Sequence, residues 1–113
     1  MAFVIKNVPE ITVPVDIQVP GEPEKSRIHA TWKLYGYDDA QTRIAAIHKG
    51  EVTDEQLTED LINIGDLSDE QGQPVAFSPE LARKLLQMTY VRIPLINSWF
   101  SAQQCRAEAA AKN

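Results

Sequence analysis

The stretch that decides the fold is ITVPVDIQV, residues 11–19. Its Ile and Val residues occupy the odd positions and alternate with Thr, Pro, Asp and Gln, a period of two that is typical of a strand with one apolar face. A prolyl nitrogen cannot donate to a β-ladder, so Pro14 and Pro20 predict an edge strand. After a turn-rich stretch the alternation resumes over residues 28–34. The pattern therefore predicts an antiparallel β-hairpin or small sheet within residues 1–36.

Helical periodicity replaces the alternation after the hairpin. The first predicted helix is capped by Asp38 or Asp39 and ends at Gly50. The second begins at Thr53, because a glutamine three residues later completes the spacing of a capping box, and we expect it to end at Gly65. The apolar stripe of this second helix consists of Leu57, Leu61 and Ile64.

Two more helices are predicted towards the C-terminus. Ser78 is a good helix cap, and Pro79 then stands at the first helical position, where proline is favoured. The stripe of this third helix consists of Leu81, Leu85 and Met88. The most apolar segment, residues 90–100, predicts a fourth helix that begins close to Pro94 or kinks there. A helix this apolar is either central to the core or partly covered by another chain.

Together these patterns predict one α+β domain over residues 1–105. An N-terminal antiparallel β-hairpin or small sheet (1–36) precedes a compact bundle of about four α-helices (37–105). Residues 106–113 are rich in alanine and charge, and we expect them to form a flexible tail. A chain of this size leaves no room for a second core.

Composition limits the partners and the compartment. The chain has 113 residues, with 16 Asp and Glu against 11 Lys and Arg, for a formal net charge of −5. This acidic balance argues against nucleic acid or an anionic membrane as the main partner. Cys105 is the only cysteine, which excludes an internal disulfide and fits a reducing compartment. The apolar runs are too short for a signal-peptide core or a membrane span, so we expect a cytoplasmic protein.

Charge is unevenly distributed along the chain. Residues 38–70 hold ten acidic and two basic side chains, whereas residues 71–113 hold two acidic and five basic ones. Either the two regions attract each other, within one chain or between copies, or they form two solvated faces.

The side chains that could act in catalysis or metal binding do not have the spacing that these functions require. His29 is predicted on the polar face of a strand and His48 near a helix end, and both positions are typical of surface histidines. Residues 66–72 contain three acids and a glycine but lack the ligand alternation and terminal glutamate of a calcium loop. The glycines are too scattered for a phosphate loop. We therefore predict no catalytic, cofactor or metal site, and a protein that is not an enzyme.

Binding to another protein is the role that the apolar pattern favours. An edge strand is either blunted by its prolines or available for docking, and Trp99 and Phe100 are either core residues or interface anchors. The same apolar excess is consistent with a homo-oligomer. The candidate partner-binding residues are Val13, Val15, Ile17, Val19, Tyr90, Val91, Trp99 and Phe100.

The order of these features resembles the tail assembly chaperones of long-tailed phages and prophages. Four stretches carry the resemblance and together span nearly the whole chain. They are FVIKNVP (3–9) with the Val-Pro strand that follows, the hairpin return at 29–34, QGQPVAFS (71–78), and the pattern of apolar and aromatic residues over 85–100. None of them is a catalytic motif.

The resemblance implies a function and its partners. Proteins of this family bind the tape measure protein, and often the major tail protein, so that the long tape measure chain stays soluble while tube subunits polymerise around it. It also implies action in the host bacterial cytoplasm and absence from the mature virion. In many such families a ribosomal frameshift adds an extension that binds the tape measure protein, and codons for residues 111–113 can contain a slippery heptamer.

Two other functions compete with the chaperone. A minor structural, completion or joining protein of the tail would remain in the particle. A small-ligand-binding module is disfavoured, because the sequence shows no convergent polar groups.

Overall fold

One antiparallel sheet of three strands, ordered β1-β2-β3, lies at the centre of the described chain. The computed structural model describes residues 1–104, with β1 at Glu10–Ile17, β2 at Ser26–Lys33 and β3 at Leu61–Gly65. β1 and β2 pair without interruption from Glu10↔Lys33 to Ile17↔Ser26. The predicted hairpin is therefore confirmed, and Pro14 lies in an edge strand as its missing N–H requires.

Four helices accompany the sheet in the part of the chain that the structure describes. They are α1 at Tyr37–His48, α2 at Asp54–Asp60, α3 at Pro79–Leu86 and α4 at Thr89–Gln104. The predicted α+β class, with an antiparallel sheet and four helices, is confirmed. The predicted tail 106–113 and Cys105 lie outside the described residues.

The second predicted helix is too long. It ends at Asp60, and Leu61–Gly65 forms β3, within the range predicted to be helical. Leu61 and Ile64 are buried as expected, but a register shift beside Trp32 leaves two exposed residues between them. This bulge gives a strand the three-residue spacing that a helical turn would give. The edge of β2 that does not pair with β1 hydrogen-bonds to residues 61–65, and this pairing favours a strand over a helix there.

The helix boundaries follow local signals. Thr53 and Gln56 form the predicted capping box, with both bonds present at 3.1 and 3.0 Å. Ser78 caps α3 as predicted. The end of α1 is a Schellman motif, in which Gly50 adopts a φ of 71° and Glu51 N–H donates to the Ala46 carbonyl.

The predicted cap of α1 is wrong. Its N-cap is Gly36, which offers no side-chain hydrogen bond, and Asp38 and Asp39 lie in the first turn instead. There their carboxylates still interact favourably with the helix dipole.

α3 faces the core with different residues from those predicted. Ala82 and Leu86 are fully buried, whereas the stripe of Leu81, Leu85 and Met88 is only half-buried. Two buried positions four residues apart are enough because α3 is short and packs between α2 and α4.

α4 covers the apolar face of the sheet and packs mainly against β1. It begins at Thr89, so Pro94 lies inside the helix and removes one hydrogen bond from its second turn. The buried face of α4 meets the alternating residues of β1 and β2. The core consists chiefly of Val13, Val15, Ala30, Trp32, Leu57, Leu61, Ile64, Leu86, Val91, Leu95 and Trp99.

Two ion pairs join the acidic and basic regions within the chain. Arg83 on α3 contacts Glu55 at 2.9 Å, and Arg92 on α4 contacts Asp54 at 2.8 Å. The guanidinium of Arg92 lowers the pKa of the Asp54 carboxyl. The charge asymmetry thus includes attraction inside one molecule as well as solvated faces. No helix among residues 1–104 is both long and apolar enough to cross a bilayer.

Loss of the capping box should destabilise the fold measurably. We expect Thr53→Ala to lower the free energy of unfolding by about 1 kcal/mol, because an orphan N–H of α2 loses its acceptor. Thr42→Ala is the matched control, since this exposed threonine donates only to a carbonyl within α1. Urea denaturation of both variants measures the difference, and equal effects would contradict the capping role.

Candidate protein-binding surface

A buried carboxylate stands at the meeting point of four segments. Asp60, at the end of α2, has no exposed surface. Its Oδ1 accepts from the Tyr35 hydroxyl, and its Oδ2 accepts from Trp99 Nε1 at 3.1 Å. Arg43 on α1 completes the group, with its Nε 3.2 Å from Oδ2. We call Asp60, Tyr35, Arg43 and Trp99 the Asp60 network.

The electrostatics of the Asp60 network reflect its burial. Loss of hydration raises the pKa of the Asp60 carboxyl, while the donors from Tyr35, Arg43 and Trp99 act in the opposite direction. Burial and the neighbouring carboxylate also raise the pKa of Tyr35. The donors converge on one carboxylate, and Arg43 also donates to the Tyr35 hydroxyl at 3.1 Å, so the four side chains form one connected set of hydrogen bonds. The arrangement therefore stabilises the fold.

A second buried hydrogen bond ties α4 to the sheet. Trp32 Nε1 donates to Ser98 Oγ at 2.8 Å, and Ser98 donates in turn to the Leu95 carbonyl at 2.6 Å. Trp32 and Trp99 both have no exposed surface. Adjacent residues of α4, Ser98 and Trp99, thus fix the helix to β2 and to α2, respectively.

The structure places five of the eight predicted partner-binding residues in the interior. α4 covers the sheet face from which these β1 side chains project. The apolar residues of β1 and of α4 are therefore buried against each other. This corrects their predicted placement at a surface, and for Trp99 the core alternative is observed. The five buried residues are Val13, Val15, Ile17, Val91 and Trp99.

The other three candidates retain some exposure. Val19 and Phe100 are half-buried, and Tyr90 is 38% exposed at the start of α4. Phe100 packs edge-on against Trp99 and stacks on His48, with ring centroids 5.3 and 5.8 Å apart. Partner binding by these three residues stays a prediction.

Phe100 lines a groove between α1 and the end of α4. This α1–α4 groove has a volume of about 440 Å³, and Tyr37, Ile44 and Phe100 contribute its apolar and aromatic surface. Gln103 fixes its floor, because its side chain accepts from Tyr35 N–H at 3.0 Å and donates to the Lys33 carbonyl at 2.7 Å. These bonds attach the C-terminal part of α4 to the end of β2 and to the residues that follow it.

Sequence reasoning missed two exposed apolar features. Tyr37, at the start of α1, is 77% exposed at the rim of the groove. Phe3, Val4 and Ile5 are 88%, 71% and 89% exposed in the segment without regular secondary structure that precedes β1. The sequence did contain a signal for the second feature. These three apolar residues precede the alternating stretch, and none of the predicted elements was expected to pack against them.

Within residues 1–104, no cluster of three or more His, Cys, Asp or Glu side chains is arranged to hold a metal ion. The His29 ring contacts the Asp66 carboxylate at 2.7 Å on the exposed face of the sheet. Among residues 1–104, the α1–α4 groove and the exposed N-terminal segment both present apolar side chains to solvent.

Comparison with protein-family models, with curated proteins and with solved structures finds no match. The resemblance to tail assembly chaperones therefore depends on the residues quoted for it.

Removal of the buried charge should destabilise the protein strongly. We expect Asp60→Asn to lower the free energy of unfolding by about 3 kcal/mol at neutral pH, because an amide NH₂ replaces one of the two oxygens that accept from Tyr35 and Trp99 and leaves a buried donor without an acceptor. Glu59→Gln, on the neighbouring exposed position, is the control and should change stability by less than about 0.5 kcal/mol.

The same pair of variants gives a pH signature. Because the folded-state pKa of Asp60 is raised above its ordinary value of 3.8, the folded protein binds more protons than the unfolded chain just above that pH. Asp60 thus contributes stability that is present below pH 3.8 and is lost as the pH rises through its folded pKa. The deficit of Asp60→Asn should accordingly shrink with rising pH in denaturant titrations, and a deficit that grows would contradict the raised pKa.

Proposed function

We propose that this protein is a non-catalytic tail assembly chaperone of a long-tailed phage or prophage. In this proposal it binds the tape measure protein, and possibly the major tail protein, in the host cytoplasm and leaves before the virion is complete. The family resemblance suggests the client. The observation that carries the proposal is the α1–α4 groove, which combines Phe100 with the exposed ring of Tyr37.

The shape and lining of the groove suit an apolar segment of a client protein. A concave surface between two helices accepts the apolar face of an amphipathic helix. Aromatic rings such as those of Tyr37 and Phe100 are the side chains that most often anchor protein interfaces. Gln41 and Gln104 add polar groups to the lining, which can hydrogen-bond at the margin of the contact.

Charge around the groove adds a preference. Asp38 and Asp39 follow Tyr37 directly in the first turn of α1, and both are exposed. Acidic side chains beside an apolar contact favour clients with basic residues flanking their apolar positions and increase the rate of encounter. The net charge of −5 acts in the same direction.

A structural protein of the tail is the second candidate, and the exposed segment with Phe3, Val4 and Ile5 favours it. An extended apolar arm can bind a neighbouring subunit in a permanent assembly. Mass analysis of purified virions separates the two functions, because a chaperone should be missing from particles and a structural or joining protein should be present.

The groove can be tested by co-expressing this chain with the tape measure protein of its own genome and measuring the soluble client that co-purifies. We expect Tyr37→Ser to reduce the captured client about tenfold or more, as loss of an interface anchor does. Tyr37 is 77% exposed, so the substitution should leave the fold intact, whereas Trp99 has no exposed surface and its substitution would report on folding.

Tyr90→Ser is the matched control, since Tyr90 is also exposed but lies at the opposite end of α4. Thermal denaturation should show both variants folded. If Tyr90→Ser alone abolishes capture, the client binds at the start of α4 instead of in the groove. If the wild-type chain captures no client, and a frameshift-extended product also fails, the chaperone proposal is wrong.

A further inference from the structure

The N-terminal segment is an exposed apolar feature outside the α1–α4 groove. Residues 1–9 have no regular secondary structure, and the consecutive side chains of Phe3, Val4 and Ile5 are each more than two-thirds exposed. Phenylalanine, valine and isoleucine favour strands. We call residues 2–8 the arm. It contains strand-forming residues and pairs with no strand among the described residues 1–104.

The sheet offers two open edges, and they are not equivalent. β1 carries Pro14 near its middle, so one amide donor is missing from that edge. β3 contains no proline, and it pairs with β2 along one side only. An added strand would therefore find a more complete set of hydrogen-bonding groups along β3.

A cavity of about 540 Å³ lies beside β3. Asn63 and Gly65 of the strand form one part of its lining, and Val75 and Phe77 of the segment before α3 form another. Val75 and Phe77 are only half-buried, so apolar surface remains there for an incoming side chain. The cavity is open to solvent, as a site for an incoming chain requires.

Charge favours the arm as the occupant. Lys6 is the only charged side chain among residues 1–9. The loop of residues 66–73, which borders the cavity, contains Asp66, Asp69 and Glu70 and no lysine or arginine. A positively charged apolar strand thus matches an acidic site that has apolar surface.

We propose that the arm of one copy adds a fourth strand to the β3 edge of a second copy. Length favours a second copy over the same chain. The arm leaves the sheet at Pro9, whose carbonyl accepts from Leu34 N–H at 2.9 Å beside β1. To reach the outer side of β3 it would cross three strand spacings, about 14 Å, which uses about four residues. Too few would remain to pair with the five residues of β3.

The arm of a second copy has no such restriction. Its seven residues span about 23 Å when extended, which exceeds the roughly 17 Å length of a five-residue strand. Two copies can exchange arms in a closed dimer, or each can donate its arm to the next in an open chain. The proposal is independent of the function proposed above, because it involves only this chain and residues outside the α1–α4 groove.

The first experiment measures mass against concentration for the full chain by light scattering and sedimentation. We expect the wild-type chain to associate, and Ile5→Asp to raise the dissociation constant at least about tenfold, because it places a carboxylate in an apolar contact beside acidic residues. Ile93→Asp is the matched control, since Ile93 is also exposed and the charge change is identical. A wild-type chain that stays monomeric, or equal effects of the two variants, would overturn the proposal.

Charge reversal gives an independent readout. Lys6→Glu should weaken association, and Lys25→Glu should do so less, because Lys25 lies in the β1–β2 turn and the net charge of the two variants is the same. Raising the salt concentration should reduce the difference between them. A larger effect of Lys25→Glu would place the contact elsewhere.

A photo-crosslinking residue at position 3, in a mixture of ¹⁴N and ¹⁵N chains, identifies the contact. Mixed-isotope crosslinks between the arm and residues 63–77 support the proposal. Crosslinks within single copies show that the arm folds onto its own chain, and crosslinks to another surface place it away from β3. Either of the last two results overturns the proposal.

Discussion

The fold depends on satisfying one buried carboxylate. Asp60 has no exposed surface. Its carboxylate accepts hydrogen bonds from a hydroxyl and an indole and pairs with a guanidinium, and these groups come from three other segments. An ionised group left without such partners in the interior would cost several kcal/mol. The Asp60 network therefore fixes the relative positions of α1, α2, α4 and the end of β2. The groove between α1 and α4 has its shape because both of its walls are attached to this network.

Much of the fold could be predicted from local patterns. The alternation in β1 and β2 showed which side chains share a face, and the Thr53 and Ser78 caps marked helix starts. β3 could not be found in this way, because the bulge opposite Trp32 gives its buried residues a helical spacing. Pairing with β2 decides the conformation there, and one sequence does not show which segment will occupy the open side of a strand.

The candidate surface was harder to predict for a related reason. Apolar alternation shows which face of β1 is buried but does not show what covers it. Val13 and Val15 could have met another protein, and in the structure they meet α4. Tyr37 was overlooked because one aromatic residue before a helix has no periodic signal. Phe100 was found because it belongs to the apolar segment, although its partial exposure depends on where α1 ends.

The Asp60 network also has a consequence for the order of synthesis. Its members are widely separated at residues 35, 43, 60 and 99, and α4 emerges from the ribosome after every other described element. Until then, the apolar face of β1 and β2 lacks its cover and Asp60 lacks its indole partner. The β1–β2 hairpin is thus the first strand pair to be synthesised, but its apolar face is buried only when α4 has been made. A nascent chain in this state exposes apolar surface. Slow translation of the segment before α4 would therefore prolong the period in which the chain can aggregate.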